Sequence, residues 1–334
     1  MTVKVGINGL GRIGRCIVRA WAEYERTDVE IVAINAPAPA KRHGHLLRWD
    51  SVHGKFPGEV TRTEDTLTVN GKKIQLLKVK EPDQIPWGDH GVDIVLECTG
   101  KFRKNKDAAR HLVGGARKVL VSAPSPDPDC TIVYKVNNKD LKKDHKIISV
   151  GSCTTNCLAP IAKVLNDTFG IESGFMTTIH SYTNDQVVLD STHEDLRRAR
   201  GAALSMIPTS TGAASALSLV VPELEGKLDG IAVRVPTPNV SMVDLVFNSE
   251  KDLNVDEVNA AIQKAADGAM KGILEVSDEE LVSVDFNHNP NSAVFDATQT
   301  YVVGSRLCRV AAWYDNEWGF SCRMLDVAAL AGKN

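Results

Sequence analysis

The segment GLGRIG (residues 9–14) restricts the possible folds of this chain more than any other feature. It has the pattern G-x-G-x-x-G, it directly follows the apolar run VKVGIN (residues 3–8), and it precedes a stretch with helical spacing over residues 12–24. In such a strand-turn-helix the glycines permit a tight turn and close approach of a ligand, and the helix N-terminus supplies free N–H donors. The segment predicts the phosphate-binding turn of a Rossmann-type, dinucleotide-binding domain.

The second predicted strand, EIVAIN (residues 30–35), ends without the acidic residue that binds the adenosine ribose in many such domains. Ala36 stands at that position. Asp28 and Glu30 lie at the other end of the strand, roughly 15 Å or more away at about 3.3 Å per residue, so they cannot replace the missing acid. Ala36 therefore raises the question of which dinucleotide the turn binds.

The order of apolar and helical patterns predicts two domains. In the first part of the chain, short β-branched runs alternate with helices, which is typical of an α/β fold with a doubly wound parallel sheet. After residue 153 a helix and a polar segment precede longer strands, which indicates an α+β catalytic domain with a mostly antiparallel sheet. The predicted strands are 3–8, 30–35, 92–100, 118–124 and 146–152, followed by strands within 226–247 and 300–315, and the predicted helices are 12–24, 105–113 and 154–168. We expect a dinucleotide-binding domain at residues 1–150, completed by a C-terminal helix at 317–334, and a catalytic domain at residues 151–316.

Composition excludes several classes of function. A net charge of -3 over 334 residues provides no overall field for nucleic acid or an anionic membrane, so neither is an expected partner. No apolar run reaches the roughly 20 residues of a membrane helix and no signal-peptide pattern is found, which predicts a cytoplasmic protein. Seven scattered cysteines indicate free thiols. Without a C-x-x-C or H-E-x-x-H motif, no metal site is expected.

Cys153 is a candidate nucleophile because SCTTNC (residues 152–157) follows a predicted strand and begins a predicted helix. The helix dipole and free N–H groups favour a thiolate at such a position, and would lower the cysteine pKa from about 8.5 towards about 6. The alternative is an inert buried thiol, which is the better interpretation for the other cysteines. Cys157, one helical turn further on, is expected to face the core.

His180 is one of nine histidines that could serve as the base for such a nucleophile. It ends the predicted strand FMTTIH (residues 175–180) and precedes the polar stretch SYTNDQ (residues 181–186). A side chain at that place would meet other polar groups, as a general base requires. Spacing alone leaves open a purely structural histidine.

Six motifs follow one another along nearly the whole chain: GINGLGRIGR, SCTTNC, HSYTNDQ, DLRRARGAALSMIPTSTGAA, GKLDGIAVRVPTPNVSMVDL and WYDNEWGFS. Together they resemble the phosphorylating (type I) glyceraldehyde-3-phosphate dehydrogenases. The resemblance implies that Cys153 attacks an aldehyde, that His180 takes the proton while hydride leaves for a nicotinamide, and that inorganic phosphate cleaves the resulting thioester. His180 and the Cys153 backbone N–H would stabilise the oxyanion.

The resemblance also implies binding roles. Thr183 and Arg234 would hold the phosphate of glyceraldehyde 3-phosphate, and Asn316 would hold the nicotinamide carboxamide. The attacking phosphate would bind Ser152, Arg198, Thr211 and Gly212, with Thr154 as a further substrate contact. The remaining implied cofactor contacts are Asn8, Gly9, Leu10, Gly11, Arg12, Ile13, Ala36, Lys80, Thr99, Ser122, Asn184, Ser191 and Thr192. From the residues alone, the basic cluster Arg197, Arg198 and Arg200 would be interpreted as a solvated face.

Three departures from NAD-specific members of that family favour NADP over NAD. Ala36 removes a carboxylate that would repel a 2′-phosphate by up to about 4 kcal/mol at 4 Å in an effective dielectric of 20. Ser191 and Thr192 replace a Leu-Pro pair and offer hydroxyl donors. Lys80 matches a basic position near the adenosine, and Lys41 and Arg42 follow the altered loop. Since residues 191–192 would reach a neighbouring subunit's cofactor, the resemblance also implies a homotetramer.

Two further departures lie near the nicotinamide in the family, so the resemblance implies an altered cofactor geometry there. Val150 stands in Ser149-Val150-Gly151-Ser152 where S-N-A-S is usual, and Phe320 replaces a tyrosine.

Two alternative functions remain from the sequence. An erythrose-4-phosphate dehydrogenase shares the cysteine and histidine but hydrolyses its thioester, and the complete second anion site argues for phosphate as the acceptor instead. A non-catalytic, cofactor-binding thiol redox sensor would use Cys153 alone, and the joint presence of Cys153, His180 and Asn316 argues against it. An NADP preference would suggest the reductive, biosynthetic direction.

Overall fold

The structure, a computed structural model, describes residues 2–333. These residues form two compact units, one of residues 2–152 with 321–333 and one of residues 153–320. No helix among residues 2–333 has both the length and the apolar composition needed to cross a bilayer.

The first unit contains a nine-stranded sheet with the order β10-β11-β9-β8-β1-β2-β7-β6-β5. All neighbours from β10 to β7 are parallel, and β6 and β5 add an antiparallel edge. The strands are β1 Val3–Asn8, β2 Val29–Asn35, β3 Trp49–Asp50, β4 Gly54–Lys55, β5 Val60–Arg62, β6 Thr66–Val69, β7 Lys72–Leu77, β8 Ile94–Glu97, β9 Lys118–Val121, β10 Cys130–Thr131 and β11 Ile147–Ser149, and the helices before residue 153 are α1 Arg12–Glu23, α2 Ala40–Arg48, α3 Asn105–Ala108 and α4 Arg110–Val113. The predicted Rossmann-type parallel sheet is confirmed.

The central strands are apolar because both faces of the sheet are covered, as parallel sheets require. Every residue of β8 and β9 is buried, and β1 carries a single exposed side chain. Trp87 and Ala108 pack with Val95 and Val119 on one face. Three of these apolar strands nevertheless end in a polar residue: β1 in Asn8, β2 in Asn35 and β8 in Glu97. These residues lie at the carboxyl edge of the sheet, where ligands of such folds bind.

One helix expected in this unit is divided. The prediction of a single helix over residues 105–113 is wrong, because α3 ends at Ala108 and α4 begins at Arg110. At the junction the Leu112 N–H donates to the Ala109 carbonyl, three residues back, so the chain tightens from α-helical to 3-10 bonding.

The second unit contains an eight-stranded, largely antiparallel sheet, as predicted. Its main order is β13-β14-β12-β15-β19-β17-β16, and β18 pairs with β19. The only parallel neighbours that this sheet shows among the described residues are β12 with β14 and β16 with β17. The strands are β12 Ile171–Ser181, β13 Ile207–Ser210, β14 Leu228–Val235, β15 Ser241–Ser249, β16 Leu274–Ser277, β17 Ala293–Asp296, β18 Tyr301–Val303 and β19 Leu307–Tyr314, and the helices are α5 Cys153–Phe169, α6 Ala213–Leu217, α7 Val255–Asp267 and α8 Trp318–Lys333, which enters the first unit at residue 321.

Candidate active site

The glycine turn between β1 and α1 has the shape of a phosphate site. Gly9 has a φ of +97°, and a Cβ there would lie 2.8 Å from the Thr99 side chain, so only glycine fits. A Cβ added at Gly11 would meet no heavy atom of the described residues within 4 Å beyond its own chain neighbours, so the backbone there is open to a ligand. Helix α1 follows with no side-chain cap on its first N–H groups. Open backbone and uncapped donors together fit an anion such as a pyrophosphate.

A buried carboxylate organises the sheet edge behind that turn. Glu97 accepts hydrogen bonds from the Asn8 amide at 2.6 Å, from His111 Nε2 at 2.9 Å, and from both the backbone N–H and the hydroxyl of Thr99. Trp87 donates its indole N–H to His111 Nδ1 at 3.1 Å, which leaves Nε2 to carry the proton given to Glu97. Glu97 thus fixes two predicted cofactor contacts, Asn8 and Thr99. Sequence reasoning missed it, although a carboxylate ending an apolar strand was visible.

The other predicted contacts of the turn differ in exposure. Leu10 is buried and Ile13 is half-buried. Arg12 donates from both terminal nitrogens to Asp50, and its charge contributes to holding the pKa of that carboxyl well below its usual range, against the effect of burial. The Arg12 side chain is therefore engaged within the unit, and its backbone N–H is the group to be considered for a ligand. Ser122, half-buried, donates its N–H to the Glu97 carbonyl at 3.0 Å.

Ala36 lies at the carboxyl end of β2 beside a free lysine. Its side chain is buried, and its N–H donates to the Leu77 carbonyl at 2.9 Å. The Asn35 side chain accepts from the Val79 N–H and donates to the Val79 carbonyl, both at 2.9 Å, so Lys80 is held next to this loop. Lys80 is exposed, and no carboxylate of residues 2–333 lies within ion-pair distance of it. A lysine therefore follows the residue that is bound to the end of β2, the strand end that lacks an acid.

In the second unit, Cys153 and His180 come together. Cys153 is the first residue of α5, and His180 is the penultimate residue of β12. Their Sγ and Nε2 atoms are 3.5 Å apart, within hydrogen-bonding distance for sulfur. A half-buried thiol in contact with a buried imidazole is an arrangement for nucleophilic catalysis with a general base.

The expectation of a lowered cysteine pKa is wrong for this structure. Burial raises the pKa of the Cys153 thiol, and this effect exceeds the opposing effects of the Arg234 charge and of hydrogen bonds from Thr154. Position at a helix N-terminus favours the thiolate, but desolvation penalises any charged form more strongly here. The thiol therefore needs a proton acceptor when it reacts. Cys157, as expected, is buried in the core.

Arg234 completes the surroundings of His180. It is the register partner of His180 across the parallel pair β12 and β14, and its Nη1 lies 2.8 Å from His180 Nδ1. Burial, together with the charges of Arg234 and Arg198, lowers the pKa of His180 to about 3. His180 is thus neutral at physiological pH, as a general base must be.

Tyr314 on β19 holds the two elements of this pair in place, and sequence reasoning did not single it out. Its buried hydroxyl lies 2.8 Å from the hydroxyls of both Thr154 on α5 and Thr178 on β12. Its ring meets the His180 ring edge-on at 6.1 Å. The structure therefore uses Thr154, predicted as a substrate contact, in this network. The two threonines are 160 and 136 residues away from Tyr314 in sequence, so no local sequence pattern could have predicted these contacts.

The predicted phosphate contacts after β12 lie on neighbouring loops. Arg198 donates to Thr209 at 2.9 Å, to the Ser210 carbonyl and to Asp185, so its guanidinium is anchored beside β13. Thr211 and Gly212 follow directly, and Gly212 precedes α6 with an exposed backbone. Thr183 is half-buried two residues after β12, and Ser152 is half-buried directly before Cys153.

Asn316 is oriented by a serine that links it to the strand of His180. The buried Asn316 accepts through Oδ1 from the Ser241 hydroxyl at 2.9 Å, and Ser241 in turn accepts from the Ser181 N–H at 3.1 Å. With Oδ1 engaged, the Nδ2 group is the one turned to donate. The Asn316 Nδ2 group could therefore donate a hydrogen bond to the oxygen of a carboxamide group.

The segment after Thr183 is exposed. Asn184, Ser191 and Thr192 are all exposed to solvent. Asp190 pairs with Arg200 at 2.7 Å, which closes the segment into a loop and presents both hydroxyls outward. Val150 and Phe320, the two departures noted above, are both buried.

Comparison with known proteins gives matches along the chain. Residues 3–105 match the family model described as "Glyceraldehyde 3-phosphate dehydrogenase, NAD binding domain", and residues 152–316 match its C-terminal domain. The chain is 57% identical over 333 residues to a glyceraldehyde-3-phosphate dehydrogenase of Xanthobacter flavus, covering 100% of this chain and 99% of that protein. It is 56% identical over 333 residues to one of Cereibacter sphaeroides, with the same coverage. It is 55% identical over 330 residues to one of Geobacillus stearothermophilus, covering 98% of each.

Proposed function

The chain belongs to the glyceraldehyde-3-phosphate dehydrogenase family, and on that premise we propose that it interconverts glyceraldehyde 3-phosphate and phosphate with 1,3-bisphosphoglycerate, using NADP in preference to NAD. The observation that carries the proposal is the contact of Cys153 Sγ with His180 Nε2, beside Arg234. A nucleophile, a neutral base and a guanidinium for a phosphate group are the parts that this reaction needs.

In the proposed reaction, Cys153 Sγ attacks the aldehyde carbon and forms a hemithioacetal. His180 Nε2 takes the hydroxyl proton as the carbon loses hydride, which leaves a thioester on Cys153. Inorganic phosphate then attacks the thioester carbon and releases an acyl phosphate, while Cys153 leaves as the thiolate. The bound nicotinamide supplies the chemistry of hydride acceptance.

The residues present fit a dinucleotide. The uncapped start of α1 and the open backbone at Gly11 suit the pyrophosphate, and the donor amide of Asn316 suits the carboxamide. Asn8 and Thr99, held by Glu97, would line the same ligand.

Two anion positions follow from the chemistry. We assign the substrate's phosphate to Thr183 and Arg234, and the attacking phosphate to Ser152, Arg198, Thr211 and Gly212. Arg234 supports its assignment, because its buried Nε has no hydrogen-bond partner among the described residues.

The reaction predicts a dependence on inorganic phosphate. With glyceraldehyde 3-phosphate and oxidised cofactor, the rate of continued turnover should rise with phosphate and saturate, because phosphate is the acyl acceptor. Turnover that is unchanged when phosphate is removed would instead indicate hydrolysis of the thioester, as in an erythrose-4-phosphate dehydrogenase. Absence of reduced cofactor under all conditions would contradict the proposal.

The preference for NADP rests on the end of β2. No carboxylate stands at that position. Strand β2 ends in Asn35, whose amide is bound to Asn8 and Val79, and the nearby Asp28 precedes the other end of the strand and is paired with Arg26. Lys80, which follows Val79 on the segment bound to the end of β2, supplies an exposed cation. Since a 2′-phosphate carries negative charge, this combination favours NADP. We expect kcat/KM for NADP to exceed that for NAD by about tenfold or more, about 1.4 kcal/mol.

Ala36→Asp should reverse that preference. A carboxylate at this position can bind the ribose hydroxyls of NAD and repels a 2′-phosphate by up to about 4 kcal/mol, so the ratio of the two kcat/KM values should change by about 10- to 1000-fold. Ala36→Asn is the matched control, because it adds similar volume without charge and should leave most of the NADP preference. An unchanged ratio in Ala36→Asp would remove Ala36 from the specificity site.

We also propose that the protein is a homotetramer, and two exposed apolar surfaces support association. On the loop after β12, Val188, Leu189, Leu196, Leu204 and Met206 are between 72% and 82% exposed. On one face of the second sheet, Phe175 lies opposite Val246, with Ile231 and Leu307 on the same face, and all four are exposed. Surfaces of this kind mark protein interfaces. The cytoplasmic location stays a prediction from the sequence.

Leu196→Glu should weaken this assembly. A charge placed in an apolar interface must be desolvated, so the dissociation constant should rise by about tenfold or more. Val113→Glu is the control, because Val113 is 74% exposed at the end of α4 in the other unit. Sedimentation velocity over a dilution series measures both. A wild-type protein that is monomeric at micromolar concentration would contradict the proposal.

A further inference from the structure

Arg198, the cation that we assign to the attacking phosphate, is already paired with a carboxylate. Its Nη1 donates to Asp185 Oδ2, its Nε donates to the Thr209 hydroxyl at 2.9 Å, and its Nη2 donates to the Ser210 carbonyl at 3.2 Å. These bonds use one N–H of each nitrogen, so one N–H on Nη1 and one on Nη2 have no acceptor among residues 2–333. An anion that binds these two donors would lie beside the Asp185 carboxylate.

A histidine helps to hold Asp185 on this side of the guanidinium. His193 Nδ1 accepts from the Asp195 N–H at 2.9 Å, so the neutral ring carries its proton on Nε2. His193 Nε2 lies 4.0 Å from the same Asp185 oxygen that binds Arg198. Because the side chain of Asp185 is 53% exposed, water can solvate its charge when an anion binds next to it.

The charges of Arg198 and Asp185 act on the residues around the thiol. Burial lowers the pKa of His180 to about 3, and the charges of Arg234 and Arg198 add to this effect. Burial also lowers the pKa of Arg234, an effect that the charge of Arg198 increases and that of Asp185 opposes. Arg198 and Asp185 therefore share the electrostatic environment of the two residues that flank Cys153 and the substrate's phosphate.

The two proposed anion positions differ in the presence of a carboxylate. Arg234 has no carboxylate of residues 2–333 within ion-pair distance, whereas Arg198 is paired with Asp185. The two anions also differ in their protons. A phosphate monoester loses its last P–OH proton with a pKa of about 6, whereas inorganic phosphate in the form HPO₄²⁻ still carries one P–OH group. The carboxylate thus lies at the position assigned to the anion that can donate a hydrogen bond.

We propose that Asp185 accepts a hydrogen bond from the P–OH group of hydrogen phosphate, and thereby selects phosphate over sulfate as the anion on Arg198. The inference rests on the proposed function for the assignment of the attacking phosphate to Arg198. Sulfate has the same tetrahedral shape and the same charge, but it carries no proton at neutral pH. Its oxygens would face the carboxylate without a hydrogen bond to offset the repulsion, which is how a site rejects a close analogue.

Competition between the two anions during turnover tests the proposal. The full-length protein is given glyceraldehyde 3-phosphate and oxidised cofactor at mildly alkaline pH. Phosphate is varied at several sulfate concentrations, and potassium chloride keeps the ionic strength constant. We expect sulfate to compete with phosphate, with an inhibition constant that exceeds the KM of phosphate by about tenfold or more. An inhibition constant no higher than that KM would overturn the proposal.

Asp185→Asn separates selection by the proton from simple repulsion of anions. Asparagine keeps an oxygen that can accept from the P–OH group but lacks the charge that repels sulfate. The inhibition constant of sulfate should fall by about tenfold or more, while the KM of phosphate changes by less than about threefold. Asp190→Asn is the matched control, because Asp190 pairs with Arg200 on the same loop at 2.7 Å, and both constants should stay at their wild-type values. An equal fall of both constants in Asp185→Asn, or the same change in Asp190→Asn, would contradict the proposal. If Asp185→Asn does not fold, the wild-type ratio alone decides.

An equilibrium measurement distinguishes this inference from the proposed function. Calorimetric titration with phosphate and with sulfate needs no turnover, and saturating glycerol 3-phosphate occupies the position at Arg234 during the titration. Sulfate should bind about tenfold or more tightly to Asp185→Asn than to the wild type, with phosphate binding nearly unchanged. If turnover depends on phosphate but the two proteins bind sulfate equally, only this inference is refuted. If the difference in sulfate binding is found without any turnover, only the proposed function is refuted.

Discussion

Cys153→Ser should lower kcat by roughly 10⁴- to 10⁶-fold while leaving cofactor binding unchanged. A serine hydroxyl has nearly the size of the thiol, but it is a far weaker nucleophile and does not form the thioester on which transfer to phosphate depends. The dinucleotide contacts are expected mainly at β1, α1 and β8, which this change does not touch. Steady-state kinetics measures the first effect, and equilibrium titration with NADP measures the second.

Cys130→Ser provides the control for this experiment. Cys130 is also half-buried, and it lies on β10 in the first unit, whereas His180 lies on β12 in the second. We expect it to retain wild-type kcat. If Cys153→Ser kept more than about a tenth of the wild-type kcat, the nucleophile would have to be another group, and the proposed chemistry would be wrong.

His180→Asn should slow hydride transfer by roughly 10²- to 10⁴-fold, the usual contribution of a general base. Asparagine can still donate a hydrogen bond to an oxyanion, but it has no basic nitrogen to accept the proton of the hemithioacetal hydroxyl. Single-turnover formation of reduced cofactor, followed by stopped flow, isolates this step from product release.

His145→Asn is the matched control, since His145 lies on a loop of the first unit, where its ring accepts a hydrogen bond from the Lys142 N–H. Its single-turnover rate should equal that of the wild type. An unaltered rate in His180→Asn would show that the 3.5 Å contact with Cys153 has no catalytic role.

The fold was largely predictable because local sequence patterns indicate most of its strands and helices. Buried parallel strands appear as short apolar runs, and the glycine turn fixed the order strand, turn and helix from residue 3 onward. The division of the helix at Ala109 was not predictable, because residues 105–113 have helical spacing throughout and only hydrogen-bond geometry distinguishes the two segments.

The sequence allowed us to predict which residues belong to the candidate site, but not how those residues contact one another. Cys153 and His180 could each be placed at the end of an element, but spacing alone left His180 open as a structural residue, and the family resemblance decided its role. The contact of His180 with Arg234, 54 residues away, depends on the register of β12 and β14. Parallel register is set by packing of the whole sheet, and a single sequence does not specify it.

The error in the cysteine pKa has a related cause. Helix position can be deduced from sequence and favours the thiolate, whereas the desolvation that raises the pKa of Cys153 depends on residues from several distant elements. The role of Tyr314 was not predictable for the same reason, since it depends on hydrogen bonds with hydroxyls on two other elements.

The most direct test of the account is to look for the thioester itself. The protein is mixed with glyceraldehyde 3-phosphate and oxidised cofactor without phosphate, quenched in acid, digested and analysed by mass spectrometry. We predict a phosphoglyceroyl group on the peptide that contains Cys153, formed together with one equivalent of reduced cofactor per chain, and its loss as acyl phosphate when phosphate is added before the quench. Reduced cofactor formed without any adduct on Cys153, or an adduct whose lifetime does not depend on phosphate, would contradict the proposed mechanism.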